Sequence, residues 1–170
     1  GARLAALRGR CEPPREARFL LAAALWRTET WLLAHGDTEV DEEASARFLA
    51  WVERRATGEP AHLILGTCPF WGRSFLVSQA TLIPRPETEL LVEAALALDL
   101  PPSPRTADVG TGTGCLAITL ALELPAARVL ATDRSVEAAA LARRNARRLG
   151  AGVGVAVAVG DLARHCRGAF

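Results

Sequence analysis

From Thr106 onward the chain alternates between short strand-like runs and longer helical runs, and a glycine or an acid stands at almost every switch. The apolar run Thr106–Val109 opens into Gly110-Thr-Gly-Thr-Gly114, after which Cys115–Leu124 reads as a helix. Arg128–Thr132 is a second strand ending at Asp133, and Ser135 is placed to cap a helix over Val136–Leu149 that Gly150 stops. Val153–Val159, rich in Val and Ala, is a third strand that ends in Gly160-Asp161. Strands separated by helices of about ten to fifteen residues cannot pair as hairpins. They pair in parallel through right-handed crossovers, which is the opening of a doubly wound α/β sheet.

The residues before this region follow another pattern. Pro13-Pro14 begins a run over Arg15–Trp26 with Phe19, Leu20, Ala23 and Ala24 at helical spacing. A short helix over Glu29–His35 is closed by Gly36, and a third starts at Asp41 as cap and runs through Phe48, Leu49, Trp51 and Val52 to Gly58. The Trp and Phe side chains are expected in the core. Phe70-Trp71, Gly72-Arg73 and Ser74–Val77 suggest a β-hairpin with Gly72 in the first turn position. In Ile83-Pro-Arg-Pro86 the prolines hold Ile83 and Arg85 extended, and Pro86 suits the first turn of a helix over Glu87–Leu98. Pro101-Pro-Ser-Pro104 then forbids any helix. The expected organisation is a helical domain over 1–60, a β-hairpin linker over 61–83 and the sheet domain over 84–170.

Composition narrows the function classes. Half the residues are apolar and the net charge is +1, so neither a disordered tail nor a strongly basic nucleic-acid binder is indicated. All the basic residues are Arg, which reads as coding bias rather than chemistry. Arg143, Arg144, Arg147 and Arg148 lie opposite Ala138, Leu141, Ala142 and Leu149 and read as a solvated face, so direct nucleic-acid binding is not expected. Cys11, Cys68, Cys115 and Cys166 are scattered without a CxxC pair, which argues against zinc and against a disulfide framework. His35, His62 and His165 are not grouped, and no metal is expected. With no long apolar run and no secretory signal, a cytoplasmic location is expected rather than a membrane. A start at Gly1 suggests a fragment or a trimmed chain.

Ligands of such sheets lie beyond the carboxyl ends of the strands. There stand Asp108, Asp133 and Asp161, with Gly110, Gly112 and Gly114 between the first strand and its helix. Glycines let backbone approach a ligand closely, and the helix amino end is electropositive. A nucleoside fits this spacing: Asp133 on the ribose hydroxyls, Asp161 toward an adenine amino group. Asp108 beside the glycines suits a cation better than a diphosphate. S-adenosylmethionine has an ammonium to offer there and no phosphate. The competing reading is a nicotinamide oxidoreductase. Gly112-Thr-Gly-Cys-Leu-Ala117 formally fits GxGxxA, with Asp133 about twenty residues on. Against it, Asp108 would press negative charge on the diphosphate and Asp161 would have no role.

Leu82-Ile-Pro-Arg-Pro-Glu-Thr-Glu89 followed by Asp108-Val-Gly-Thr-Gly-Thr-Gly114 resembles the HemK/PrmC family, the release factor glutamine methyltransferases. Arg55, Gly58-Glu-Pro60, Ile64-Leu-Gly66, Phe70, Gly72, Asn145–Gly150 and Gly160-Asp161 extend the likeness over essentially the whole chain. The resemblance implies a class I (Rossmann-like) methyltransferase fold and S-adenosyl-L-methionine held by Asp108, Gly110, Thr111, Gly112, Thr113, Gly114, Asp133 and Asp161. It implies a substrate pocket at Arg85, Pro86, Glu87 and Thr88. The implied activity is N5-methylation of the glutamine in the Gly-Gly-Gln motif of class 1 peptide-chain release factors, which dock on the helical domain.

Leu63 stands where the family often has Tyr, and Thr113 where Ser is common. The family's Asn-Pro-Pro-Tyr motif, which by resemblance binds and aims the glutamine amide, is not in the sequence up to Phe170. No catalytic residue is therefore assigned. The expectation is a C-terminally incomplete sheet with its first strand exposed, marginal stability or pairing with another copy or a missing segment, and no activity from these 170 residues alone. The alternatives are a methyltransferase of the same fold with another protein, nucleic-acid or small-molecule target, a non-catalytic binding module, and the nicotinamide enzyme.

Overall fold

The computed structural model describes residues 13–36 and 38–161. Cys11, His165, Cys166 and the stretch leading to Phe170 lie outside the described residues. The chain divides into two compact units, one up to Leu65 and one from Gly66.

The first unit is helical: α1 (Pro13–Ala24), α2 (Glu29–Ala34), α3 (Glu42–Ala56) and α4 (Ala61–Leu65). Each start has a local cause. Two prolines open α1, where missing amide hydrogens cost nothing. Thr28 accepts from the Trp31 amide to cap α2, and Asp41 accepts from the Ala44 amide at 2.7 Å to cap α3. Leu20, Ala24, Ala44 and Val52 are buried between α1 and α3. Arg47 donates twice to the carbonyl of Ala24, and Arg55 pairs with Glu16 at 2.7 Å. Trp26, by contrast, is 79% exposed, so the expectation of a core Trp does not hold at this position. It follows the last turn of α1 with φ of 55°, which swings its side chain away from the helical stripe.

The divide after Leu65 differs from a linker beginning at residue 61. Pro60 ends the preceding loop, and its carbonyl accepts from the amides of Leu63 and Ile64, so 61–65 form a helical turn that packs on α1 and α3.

The second unit starts with the hairpin, β1 (Thr67–Phe70) and β2 (Arg73–Leu76), antiparallel with Phe70 opposite Arg73. That register makes the turn Trp71-Gly72, with Gly72 second rather than first. Both residues have positive φ, 50° and 67°. A two-residue turn of this hand matches the strand twist and requires left-handed backbone at both positions. Trp71 accepts that strain, and its amide donates to Glu89 Oε1 at 2.6 Å.

Beyond the hairpin, Pro86–Thr88 form a 3-10 turn with Pro86 at its start, leading into α5 (Glu89–Leu96), so the expected helix from Glu87 begins as the tighter form. Three parallel strands follow, β3 (Arg105–Val109), β4 (Arg128–Asp133) and β5 (Val155–Val159), in the order β3-β4-β5. Asp108 pairs with Ala131 and Asp133 with Val159. The third strand begins at Val155 rather than Val153, because residues 152–154 form a turn. The crossover helices are α6 (Cys115–Glu123) and α7 (Val136–Arg148), the latter capped by Ser135 Oγ on the Ala138 amide. Helix α6 is apolar nearly all round and is buried on β4 between α5 and α7. Ile118, Ala117, Val129 and Ala131 form one core with Phe70, Phe75 and Val92, so hairpin and sheet share their interior. Strand β3 ends this three-stranded set and exposes Ala107 and Val109.

Candidate functional site

The site is built at the carboxyl end of β3, where the chain must leave the sheet and enter α6. It does so by folding the loop onto β4. The amides of Gly110 and Thr111 both donate to the Thr132 carbonyl, at 2.8 and 2.9 Å, and the Gly114 amide donates to the Thr111 carbonyl at 2.8 Å. The Gly112 amide donates to Asp133 Oδ2 at 2.9 Å. Asp133 uses its other oxygen to accept from the Ser135 amide, also at 2.9 Å. Two backbone donors thus fix the Asp133 carboxylate, which keeps lone pairs to accept from a ligand.

Asp108 accepts from the Thr111 hydroxyl at 2.6 Å. Burial pushes its carboxyl above the ordinary range, the bonds from Thr111 and the Ala117 amide oppose the shift, and the charge of Asp133 adds to it. A half-buried carboxylate with no cationic partner among the described residues gains much from a positive ligand.

These residues surround a cavity of about 430 Å³, within the roughly 300–1,000 Å³ usual for small-molecule sites. One wall is the loop, with Asp108, Gly110 to Thr113 and Cys115; Asp133 closes one side; the other wall is Ala80 to Arg85 with Thr88. The structure therefore brings together Asp108, Gly110, Thr111, Gly112, Thr113 and Asp133 from the cofactor set, and Arg85 and Thr88 from the substrate set. Four of the residues singled out in the sequence stand off this cavity. Gly114 lies behind the loop, where a Cβ would meet Ile118 Cδ1 at 2.9 Å. Asp161 is exposed just past β5. Pro86 and Glu87 form the start of the 3-10 turn.

Some residues of the site region were not singled out. Asn145 is fully buried on α7 and hydrogen-bonds Thr113 of the loop wall and Leu76, four residues before the opposite wall begins at Ala80. The sequence does hold a signal for it, one amide side chain on the apolar stripe of Ala138, Leu141, Ala142 and Leu149. Thr81, on the wall opposite Gly112, and Cys115 carry no such signal. The Arg face of α7 is partly engaged rather than solvated: Arg143 donates to the Val157 carbonyl at 2.9 Å, and Arg148 donates to the Ser74 carbonyl. Cys68 and Cys115 are buried and unpaired. Among the described residues no group of three or more His, Cys, Asp or Glu could hold a metal, and no helix is long and apolar enough to cross a membrane.

Comparison with known proteins matches residues 2–66 to the PrmC N-terminal domain and residues 86–169 to the methyltransferase small domain. The release factor glutamine methyltransferase of Burkholderia pseudomallei is 50% identical over 135 residues, 79% of this chain and 47% of that protein. Its Escherichia coli counterpart is 46% identical over 138 residues, 81% of this chain and 50% of that one. The chain spans about half the length of the curated relatives it matches. A solved RNA methyltransferase from Salinibacter ruber, in complex with S-adenosyl-L-homocysteine, is 26% identical with a TM-score of 0.42, over 49% of this chain and 52% of that chain.

Proposed function

Because the chain belongs to the HemK/PrmC family, with a class I, Rossmann-like methyltransferase fold in its sheet unit, we propose that the whole protein methylates class 1 peptide-chain release factors. The acceptor is N5 of the glutamine in their Gly-Gly-Gln motif, the donor S-adenosylmethionine, and the compartment the cytoplasm. One observation supports the donor most strongly. Two carboxylates, Asp108 and Asp133, line one cavity whose loop amides at Gly110, Thr111 and Gly112 are already bonded to Thr132 and Asp133. A diphosphate needs free amides and no nearby anions. A cationic nucleoside needs the reverse.

Within this reading Asp108 faces the ammonium of the ligand, Asp133 accepts from the ribose hydroxyls, and the glycine loop lets the nucleoside lie close to backbone. Asp161, past β5, receives the adenine amino group. Arg85 and Thr88, on the opposite wall, meet the substrate together with Pro86 and Glu87, and the helical unit docks the release factor. S-adenosylmethionine supplies an electrophilic methyl on a sulfonium. The residues of this chain bind and orient it, and orientation supplies most of the rate in a transfer whose leaving group needs no proton.

The test is mass spectrometry of a release factor incubated with the whole protein and S-adenosylmethionine. One methyl group on the motif glutamine, absent from a Gln→Ala substrate, is expected. Methylation confined to another residue or another molecule would overturn the substrate assignment and leave the donor standing.

A further inference from the structure

Asparagine is a poor choice for the buried face of a helix, because its side chain competes for backbone bonds and its amide loses water. Asn145 nevertheless sits in α7 with no exposed surface. Its amide has one oxygen and two N–H groups to satisfy, and every one has a backbone partner. Oδ1 accepts from the Leu76 amide at 2.8 Å, and Nδ2 donates to the Leu76 carbonyl at 3.0 Å and to the Thr113 carbonyl at 2.9 Å.

One partner lines the cavity, and the other precedes the segment that forms its opposite side. Thr113 is in the glycine loop. Leu76 ends β2, and the chain from there supplies Ala80 to Arg85 of the opposite wall. The two are 37 positions apart in sequence (113 − 76), and among the described residues no ladder joins the hairpin to the sheet. We infer that Asn145 is a positioning residue that holds the loop wall and the Ala80–Arg85 wall of the cavity at a fixed separation. This rests on the cofactor reading above. It goes beyond that reading in assigning the cavity's width to a residue that does not line it.

The amide is specific to this task. Leucine would leave three backbone groups unsatisfied. Aspartate keeps the acceptor for Leu76 N–H, but when ionised it sets a negative oxygen against the two carbonyls. Protonation restores one donor, and burial moves that protonation toward neutral pH.

The experiment measures S-adenosylhomocysteine affinity by calorimetry for the full chain and for Asn145→Asp, at pH 8 and pH 5.5, as the ratio of variant to wild-type Kd. Amide exchange is followed in parallel over residues 77–85 and 110–114. The ratio is expected to be about tenfold at pH 8, equivalent to about 1.4 kcal/mol, and to shrink clearly at pH 5.5. Both walls should exchange faster in the variant while the α6 amides do not. A ratio below twofold at both pH values, or a loss equal at both, overturns the inference. If wild type binds no S-adenosylhomocysteine, the cofactor reading fails, and wall exchange in the variant decides the positioning role by itself. Should the variant not fold, the Asn145 side-chain amide of the wild type is the probe. Ligand must then slow its exchange along with the loop amides, and indifference to ligand overturns the inference.

Discussion

Replacing Gly114 by alanine separates the two things that a glycine in this loop can be for. Its φ is +80°, and a Cβ there would stand 2.9 Å from Ile118 Cδ1 and 3.1 Å from Ala142 Cβ. Left-handed backbone costs an alanine roughly 1–2 kcal/mol. The contacts add the strain of overpacking, roughly 1–3 kcal/mol, because Ile118 and Ala142 are both fully buried and cannot swing aside. The sum is about 2–5 kcal/mol. Gly110 is the control, since it shares a φ of +80° but would place its Cβ in open space. Gly110→Ala should therefore cost only the backbone share, roughly 1–2 kcal/mol. Urea denaturation of both variants, with unchanged m-values, gives the comparison. Equal losses, within ~0.5 kcal/mol, would refute the claim that Gly114 exists for the close packing of α6 on α7.

Asp108→Asn should abolish most S-adenosylmethionine affinity without destabilising the free protein. Because the folded-state pKa of Asp108 is raised, its favourable share of stability is present in acid, below the unfolded carboxyl's pKa, and is lost as pH rises through the folded value. Wild type should thus lose a little stability across that window that the Asn variant retains, and ligand affinity of wild type should rise with pH there. Asp133→Ala, which removes the acceptor of the Gly112 and Ser135 amides, should weaken binding about tenfold or more by calorimetry. Glu89→Ala removes the acceptor of the Trp71 amide and should destabilise by about 1.5–3 kcal/mol, read from denaturant midpoints. The Cys68 thiol, pushed up to about 11 chiefly by burial, should resist alkylation at pH 8 until the protein unfolds, as site-resolved mass spectrometry can follow.

Features governed by neighbours in sequence were legible, and features governed by distant partners were not. The caps at Asp41 and Ser135, the proline start of α1 and the strand–helix alternation after Thr106 each depend on a few adjacent residues, and the structure has them. The cluster of Asp108, Asp133 and the loop was legible for the same reason, because parallel strands place their carboxyl ends side by side. The turn Trp71-Gly72 was misplaced by one residue, since the strain that a Trp tolerates at positive φ is offset by Glu89, 18 positions later. Asn145 entered only through its helix and the family likeness and not as part of the site, because its two partner residues lie 69 and 32 positions away. The solvated Arg face failed in part for a similar reason. Arg148 reaches Ser74, a partner no periodicity can reveal.

A solved complex with S-adenosylhomocysteine tests the central claim most directly. The account predicts the ribose hydroxyls on Asp133, the ammonium beside Asp108 and the nucleoside against Gly110 to Gly112. It is contradicted if the ligand binds elsewhere while this cavity stays open, or if both carboxylates point away from it.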